Sequence, residues 1–513
     1  MTKSSLKSIV ISDSMRNVFA NLISLPFSLI SSLLIARILG PELTGITAAA
    51  IMLVLTYTSN AHLGTINALG QRYPFLIGQG STESKEEAQR MLGVILGFVT
   101  IGGIGAAFLV LGLAFWQFMI GSRLMAVGLC FGAIITVLQL YKTYYLFVIR
   151  STHQFEYWSH YTIIFFWVPL AWVLAARFGG VIAQWAALCA TELIMCFTLY
   201  RKIGHDIKFK LDFKASWQYI KLGFPIYAVA SLFSIFTTID KLTATLFLGT
   251  TALGFYGVAS MAATFLGIIP AMIAQIMWPR MAEKLGTLEQ DWPKILPYIE
   301  KPTFLMAYLL PILIGIVILA IPPVTKLLLP KYVQGIKAAQ ISIITVYFLG
   351  LMGMYTTFLG TSLRLLPYGI VAVLGIGLNL IGSYLSVHFG WGLVGIAWAK
   401  VFAFGVVAIL LFGYVERLFK RQWKEIILRI LVLLTPMFTV YLLAFWIIPW
   451  LIPSNAICIS GRLCQLSYQL IILALVTGPL AWFALHSSGV MGEVGDFFCR
   501  SMQSLFRTRI KTS

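Results

Sequence analysis

The sequence predicts an all-α polytopic membrane protein with about fourteen transmembrane helices of roughly 20 residues each. Its 513 residues are 59% hydrophobic and only 11% charged, with a mean hydropathy of +0.90. Soluble domains are about 45–50% apolar and about 25% charged. Long apolar runs recur along the whole chain. They favour helices over a membrane barrel, which would show alternation in segments of about ten residues.

Six spans are predicted in the first part of the chain, six in the next part, and two after those. The first span follows Lys3, Lys7 and Arg16. It is long for a signal-peptide core and lacks a small-residue cleavage site, so we interpret it as a retained signal anchor. In chain order the spans are 17–36, 44–66, 92–116, 122–149, 158–177, 180–200, then 225–247, 253–278, 303–329, 336–362, 366–389, 392–415, then 427–452 and 465–486.

The positive charges fall mainly on one side of these spans. The chain holds 37 Lys and Arg against 18 Asp and Glu, a formal charge of +19. Basic residues mark cytoplasmic loops, so both termini are predicted to be cytoplasmic. The basic excess is explained by an anionic inner leaflet, and no nucleic-acid partner is expected. The outer loops hold few cations, namely Arg37, Arg123, Arg177, Lys326, Lys331, Lys337 and Arg462.

An internal repeat divides the chain. "LGPELTG" (39–45) matches "LGTTALG" (248–254), and "GGVIA" (179–183) precedes "WGLVG" (391–395) at nearly the same spacing. An even number of spans per half predicts two six-helix bundles in parallel pseudo-repeat around a central cavity. The predicted segments are an N-terminal bundle (1–200), a cytoplasmic amphipathic linker (201–224), a C-terminal bundle (225–415), two extra helices (416–486) and a cytoplasmic basic tail (487–513).

The six cysteines form no metal-ligand cluster in the sequence. Cys130, Cys189 and Cys196 fall within spans, where a free thiol behaves as a small apolar group. Cys458 and Cys464 share one outer loop. They form a disulfide there if that side is oxidising, and otherwise stay as thiols.

Several stretches together identify a family resemblance. They are "ARILGPELTGI" (36–46), "LGTINALGQRYPFLIGQG" (63–80), "RSTHQF" (150–155), "DKLTATLFLGTTALGFYGVA" (240–259), "WPRMAEK" (278–284) and "LLPKYVQGI" (328–336). In order and spacing they resemble the polysaccharide (O-antigen or exopolysaccharide) flippase branch of the multidrug/oligosaccharidyl-lipid/polysaccharide (MOP, MATE-like) exporter superfamily.

The resemblance implies two bundles around a cavity and export of an undecaprenyl-pyrophosphate-linked oligosaccharide from the cytoplasmic to the outer leaflet by alternating access. The implied partners are the lipid-linked glycan, membrane lipids and the polysaccharide polymerase or export machinery. Bending of the first helix is implied as well, and Pro26 is the candidate hinge. His62 departs from the family pattern, because many relatives carry an acidic residue there.

Charged residues inside spans are the first candidates for the substrate cavity. Each costs at least about 2.5–3.5 kcal/mol at the bilayer centre on insertion scales. Lys241 and Lys400, together with Arg37 at the end of the first span, are predicted to bind the pyrophosphate, since cations suit phosphate oxygens. Asp240 and Glu192 are predicted to hold those cations or to titrate during coupling to a proton or sodium gradient. No cofactor and no metal are expected.

Asp240 and Lys241 are chain neighbours, so their side chains point about 100° apart on a helix and need other partners. The matching positions in the first repeat are Ser31 and Ser32. The scaffold therefore does not need charge at this place, which favours a functional role. The alternative for Lys241 is a side chain that snorkels to the headgroups.

Secondary candidates lie near span ends. Arg150 is a further cation, and Asn60 and His62 belong to the polar run "TYTSNAH" (56–62). That run either lines the cavity or hydrogen-bonds to neighbouring helices. Tyr144 lies in "YKTYYLF" (141–147), which offers aromatic faces to a sugar or marks an ordinary membrane interface.

The sequence is also compatible with other functions. A multidrug or lipid II exporter of the same superfamily would share the fold and the repeat. A membrane glycosyltransferase or polymerase is disfavoured, because the short outer loops carry only Glu42 as an acidic residue. No Walker-type nucleotide-binding loop is present, which argues against an ATP-driven pump on this chain alone. The chain is expected to be a transporter and not an enzyme.

Overall fold

A computed structural model describes residues 3–79, 81–152, 154–287, 295–447, 467–479 and 482. Across these residues the regular structure is helical and contains no strand, which confirms the predicted all-α membrane fold. The predicted tail (487–513) and the residues Cys458, Cys464 and Cys499 lie outside the described part. Cys130, Cys189 and Cys196 are free thiols.

The helices follow one another with short connections. The first six are α1 (Lys3–Ala61), α2 (Thr65–Gln79), α3 (Thr82–Met119), α4 (Arg123–Ser151), α5 (Phe155–Ile164) and α6 (Val168–Lys202). The next five are α7 (Phe213–Leu248), α8 (Thr250–Thr287), α9 (Leu296–Leu328), α10 (Ile336–Ser342) and α11 (Thr345–Thr361). The last four are α12 (Leu365–His388), α13 (Gly392–Leu418), α14 (Trp423–Leu442) and α15 (Ser467–Pro479).

Eleven helical segments of the described chain are long and apolar enough to cross a membrane. Two of them contain a backbone break at glycine. In α1 the break is at Gly40 (φ 77°), and in α6 it is at Gly179 and Gly180, where Gly180 has φ 65°. Only glycine adopts such angles without strain. Each of these two segments therefore carries two of the predicted spans, and the total of about fourteen stays a prediction.

The chain forms two compact units. The N-terminal unit comprises Asp13–Ile235 with Gly249–Gly254, and the C-terminal unit comprises Phe236–Leu248 with the described residues from Phe255 onward and the start of α1. In the N-terminal unit α3 packs along α4, and α4 packs on α6. In the C-terminal unit α12 packs along α13, while α9 packs on α11 and α14. The boundary between the two units lies within α7, between Ile235 and Phe236.

Part of the predicted linker docks on α3. The Lys210 N–H donates to the Gly93 carbonyl at 3.2 Å, and a Cβ on Gly93 would lie 2.1 Å from the Lys208 oxygen. Asp212 accepts from the Ala215 N–H at 3.0 Å and from Arg90 at 2.7 Å. The Ala215 bond first, and then Arg90, hold the pKa of Asp212 below its usual range. The linker is therefore anchored before α7 begins, and residues 213–224 belong to that helix.

The two repeat motifs contact each other reciprocally within the N-terminal unit. A Cβ on Gly45 would lie 1.8 Å from the Thr250 carbonyl oxygen, and a Cβ on Gly254 would lie 1.8 Å from the Pro41 carbonyl oxygen. Gly254 is the repeat counterpart of Gly45, and Thr250 is the counterpart of Pro41. The matched glycines thus let two backbones approach with pseudo-twofold symmetry.

Candidate functional site

A buried ion pair lies in the C-terminal unit. Asp240 of α7 is 0% exposed. Its Oδ2 accepts from Lys400 Nζ at 2.8 Å and from the Tyr256 hydroxyl at 2.7 Å. Ser342 donates to the Tyr256 oxygen at 3.0 Å. These four residues, on α7, α13, α8 and α10, are called the Asp240–Lys400 site.

An aromatic stack one helical turn away sets the register of this pair. Phe236 precedes Asp240 by one turn of α7, and Phe404 follows Lys400 by one turn of α13. Their ring centroids are 4.3 Å apart and the rings are nearly parallel. Because residues four apart share a helix face, the stack places the carboxylate opposite the ammonium. Lys400 Nζ also lies 5.8 Å from the Phe404 ring, a cation–π contact.

The electrostatics of the pair follow from its burial. Removing two charges from water costs several kcal/mol per ion, and the attraction between them offsets this only with additional hydrogen bonds. Tyr256 supplies one such bond. Asp240 Oδ1 is buried and has no hydrogen-bond partner among the described residues. The carboxylate therefore keeps one acceptor position that this network leaves unused.

Lys241 lies close enough to Asp240 and Lys400 to interact with both charges, whereas Arg37 belongs to α1. Lys241 is half-buried and accepts a hydrogen bond on its carbonyl from Thr245. Asp240 pairs with Lys400 rather than with Lys241 among the described ion pairs. Asp240 therefore has a partner other than its chain neighbour Lys241, as the helix geometry predicts. Arg37 is exposed on α1.

Glu192 pairs with a lysine that is not among the predicted site residues. Lys142 Nζ of α4 lies 2.6 Å from the Glu192 carboxylate of α6. Glu192 was expected to hold Lys241, Lys400 or Arg37, and the structure corrects this expectation. Lys142 was missed because the basic residues near the end of the fourth span were counted as loop charges. Its position nine residues before the end of α4, at Ser151, was the available signal.

The polar run before α2 hydrogen-bonds to α7 through Asn60. Asn60 Oδ1 accepts from the Tyr227 hydroxyl and, at 3.1 Å, from Ser231 of α7. His62 Nδ1 accepts from the Gly64 N–H at 3.0 Å, and its ring meets Tyr227 edge-on. The sequence left two interpretations of this run open, namely lining the cavity and hydrogen bonding to neighbouring helices. For Asn60 the structure supports the second.

Tyr144 lies in the hydrophobic core, which corrects its assignment as a cavity residue. It is 0% exposed, and its hydroxyl donates to the Leu92 carbonyl at 2.9 Å. A side chain without accessible surface cannot stack on a sugar. Arg150 is exposed, and its guanidinium lies 3.6 Å from the Trp158 ring centroid. Pro26 lies within α1, and its role as a hinge stays a prediction.

A second charged cluster lies where α13 ends and α14 begins. Glu416 is buried and accepts from Arg421 at 2.5 Å and from the Tyr355 hydroxyl at 3.2 Å. Arg421 and Arg429 both pair with Glu300. This cluster is absent from the predicted site residues because the twelfth predicted span ends at residue 415, one residue before Glu416. Within the described residues no group of three metal-ligating side chains is found.

Comparison with solved structures shows which known fold the chain shares. The lipid II flippase MurJ, in an inward closed conformation, matches 91% of this chain and 99% of its own at 14% identity and a TM-score of 0.64. An inward-facing multidrug resistance MATE transporter of the MOP superfamily matches 80% of this chain and 99% of its own, at 13% identity and a TM-score of 0.61. A MOP superfamily transporter from Pyrococcus furiosus matches 83% of this chain and 96% of its own, at 14% identity and a TM-score of 0.57. The fold is therefore that of MOP-superfamily transporters.

The chain itself belongs to the polysaccharide biosynthesis protein family, whose profile matches residues 33–337. This match covers more than half of the sequence. It confirms the resemblance seen in the sequence motifs. No curated protein matches the chain at a significant level.

Proposed function

We propose that this protein flips an undecaprenyl-pyrophosphate-linked oligosaccharide from the cytoplasmic to the outer leaflet of the bacterial plasma membrane. Family membership and fold support a transporter of polysaccharide biosynthesis. The observation that carries the proposal is the buried pair of Asp240 and Lys400. A buried ion pair is weak evidence for stability, because a well-packed apolar pair is often equally stable. Its presence is better explained by a ligand that exchanges with one partner.

The pyrophosphate of the substrate is the ligand that suits Lys400. An ammonium on a flexible stem gives a point charge that binds phosphate oxygens. In the substrate-free protein Asp240 neutralises Lys400. When the pyrophosphate takes the ammonium, Asp240 keeps its bond from Tyr256 and binds a proton or a sodium ion in place of the lysine. Lys241, next in the chain, adds a second cation.

This exchange couples substrate transfer to an ion gradient. Asp240 takes up its ion only while Lys400 is engaged, and it loses the ion when Lys400 returns. We propose that the two bundles alternate access during this cycle, with both termini in the cytoplasm. The protein carries out no covalent chemistry in this scheme, and the polysaccharide polymerase acts on the glycan after it has been flipped.

The test is the identity of the intermediate that accumulates when the gene is deleted. Mass spectrometry of extracted lipids is expected to show an undecaprenyl-pyrophosphate oligosaccharide, held on the cytoplasmic face and absent after complementation. Accumulation of lipid II would instead assign the protein to wall synthesis. Drug sensitivity without any lipid-linked intermediate would assign it to multidrug export.

A further inference from the structure

The linker between α6 and α7 presents large apolar side chains on its surface. Phe209, Leu211, Phe213 and Trp217 are 54%, 52%, 70% and 57% exposed. Phe213 and Trp217 are one turn apart at the start of α7, and Lys221 follows one turn later with its Nζ 5.7 Å from the Trp217 ring centroid. These four apolar residues, with three exposed lysines, are called the linker face, and the lysines are Lys208, Lys210 and Lys221.

The backbone of the linker face is fixed from behind. Ile207, directly before it, is buried in the core of the N-terminal unit. A Cβ on Gly97 of α3 would lie 2.4 Å from the Lys210 carbonyl oxygen, so the close approach needs a glycine there. Ser216 is buried and donates to the Asp212 carbonyl at 2.8 Å in the first turn of α7. The exposed side chains are therefore presented together by an ordered segment.

The linker face lies where α3 changes from charged to apolar. Every charged residue of α3 precedes Met91, and the linker contacts α3 at Gly93 and Gly97. Arg90, the last charged residue of α3, pairs with Asp212 at 2.7 Å. In a membrane protein such a change marks the boundary between headgroups and hydrocarbon. Aromatic rings beside lysines are the side chains that this boundary accommodates.

The net charge around the linker face is positive whichever side chains pair with one another. Residues 201–221 hold six Lys and Arg against two Asp. The adjoining helices α2 and α3 hold three cations and three carboxylates between them, so they supply no net negative charge. An excess of four positive charges therefore remains even if every one of these carboxylates is paired. Anionic lipids are attracted by such a segment, whereas zwitterionic lipids carry no net charge to attract.

We propose that the linker face binds anionic phospholipids of the cytoplasmic leaflet. Lys208, Lys210 and Lys221 bind the headgroup oxygens, while Phe213 and Trp217 insert at the level where the acyl chains begin. Lys214 lies about 100° from Phe213 around α7 and is not part of the face. The bound lipids hold the N-terminal end of α7 at the membrane surface. The linker face is separate from the Asp240–Lys400 site, and the proposal does not depend on the substrate proposed there.

The experiment is tryptophan quenching in nanodiscs that contain the purified full-length protein. The nanodiscs hold equal amounts of phosphatidylglycerol and phosphatidylcholine, and one of the two lipids is brominated on its acyl chains. Because the chain has 14 Trp, the Trp217 signal is the difference between each protein and the same protein with Trp217→Phe. Brominated phosphatidylglycerol is expected to quench Trp217 as if enriched about fivefold over phosphatidylcholine, the effect of roughly one lysine near an anionic surface.

Changing Lys208, Lys210 and Lys221 together to Gln is expected to remove this preference. Changing the same three residues to Arg is expected to keep it, because the attraction depends on charge. The matched control changes three exposed lysines of the predicted outer loops to Gln and is expected to keep the preference as well, and these are Lys326, Lys331 and Lys337. Melting temperatures of all variants show whether the fold is intact. Salt at about 1 M shortens the Debye length to about 3 Å and is expected to weaken the preference in wild type, without any substitution.

Equal quenching of Trp217 by the two brominated lipids in wild type overturns the proposal. So does a preference that the three Gln substitutions in the linker face leave unchanged, or one that the control substitutions abolish equally. Quenching of Trp217 by aqueous iodide, with no effect of either brominated lipid, would show that the linker face lies in water and is open to a soluble partner instead.

Discussion

Asp240 and Lys400 are 160 residues apart in the chain, yet Lys400 Nζ lies 2.8 Å from Asp240 Oδ2 in the interior of one unit. Both side chains are buried. Each charge is therefore neutralised by the other, with Tyr256 as the additional donor. This relationship joins α7 to α13 and underlies the proposed exchange with a pyrophosphate.

Lys400→Met is expected to lower the free energy of unfolding by about 3–5 kcal/mol, because Asp240 is left as an uncompensated buried charge. The double variant Asp240→Leu, Lys400→Met is expected to recover most of this loss, since it removes both charges. Thermal unfolding of the purified variants in detergent measures the difference. Equal stability of the single and double variants would contradict a charge-pair origin of the loss.

Gly254→Ala is expected to reduce both thermal stability and export, because the new Cβ would meet the Pro41 carbonyl at 1.8 Å. Gly257→Ala, one turn later in α8, is the matched control with open space around its Cβ. It is expected to be neutral or to stabilise by up to about 1 kcal/mol through helix propensity. Melting temperature and export are measured together for both variants. Identical behaviour of the two would show that the contact between the repeat motifs is unimportant.

Lys142→Met is expected to lower the melting temperature, because the Glu192 carboxylate loses the cation 2.6 Å away. Adding Glu192→Gln is expected to restore it, since a neutral amide needs no counter-charge. The comparison uses the single and double variants in the same detergent. If the second substitution lowers the melting temperature further, the pair does not stabilise the N-terminal unit through its charges.

Tyr144→Phe is expected to cost about 0.5–1.5 kcal/mol of stability, the value of one hydrogen bond, here to the Leu92 carbonyl. Export per folded molecule is expected to stay at the wild-type level, because the side chain has no accessible surface. Export assays normalised to protein level check this. A large loss of export at an unchanged melting temperature would return Tyr144 to the substrate path.

The fold and some of the charged site residues could be predicted from the sequence. The helical membrane fold follows from long apolar runs, and the cost of a charge in lipid marked Asp240, Lys400 and Glu192 as exceptional. Their partners could not be predicted, because no local rule relates residues so far apart in the chain. Lys142 and Glu416 were missed because they lie close to predicted span ends, where charges are ordinarily solvated.

Export and lipid-linked intermediates in a deletion strain complemented with Lys400→Ala or Lys241→Ala test the central claim most directly. The control is Lys214→Ala, an exposed lysine near the start of α7. At matched protein levels, Lys400→Ala is expected to accumulate the undecaprenyl-linked oligosaccharide and to lower export about tenfold or more, as loss of a phosphate contact implies. Lys241→Ala is expected to act in the same direction, and Lys214→Ala is expected to match wild type. Normal export by both Lys400→Ala and Lys241→Ala would contradict the account.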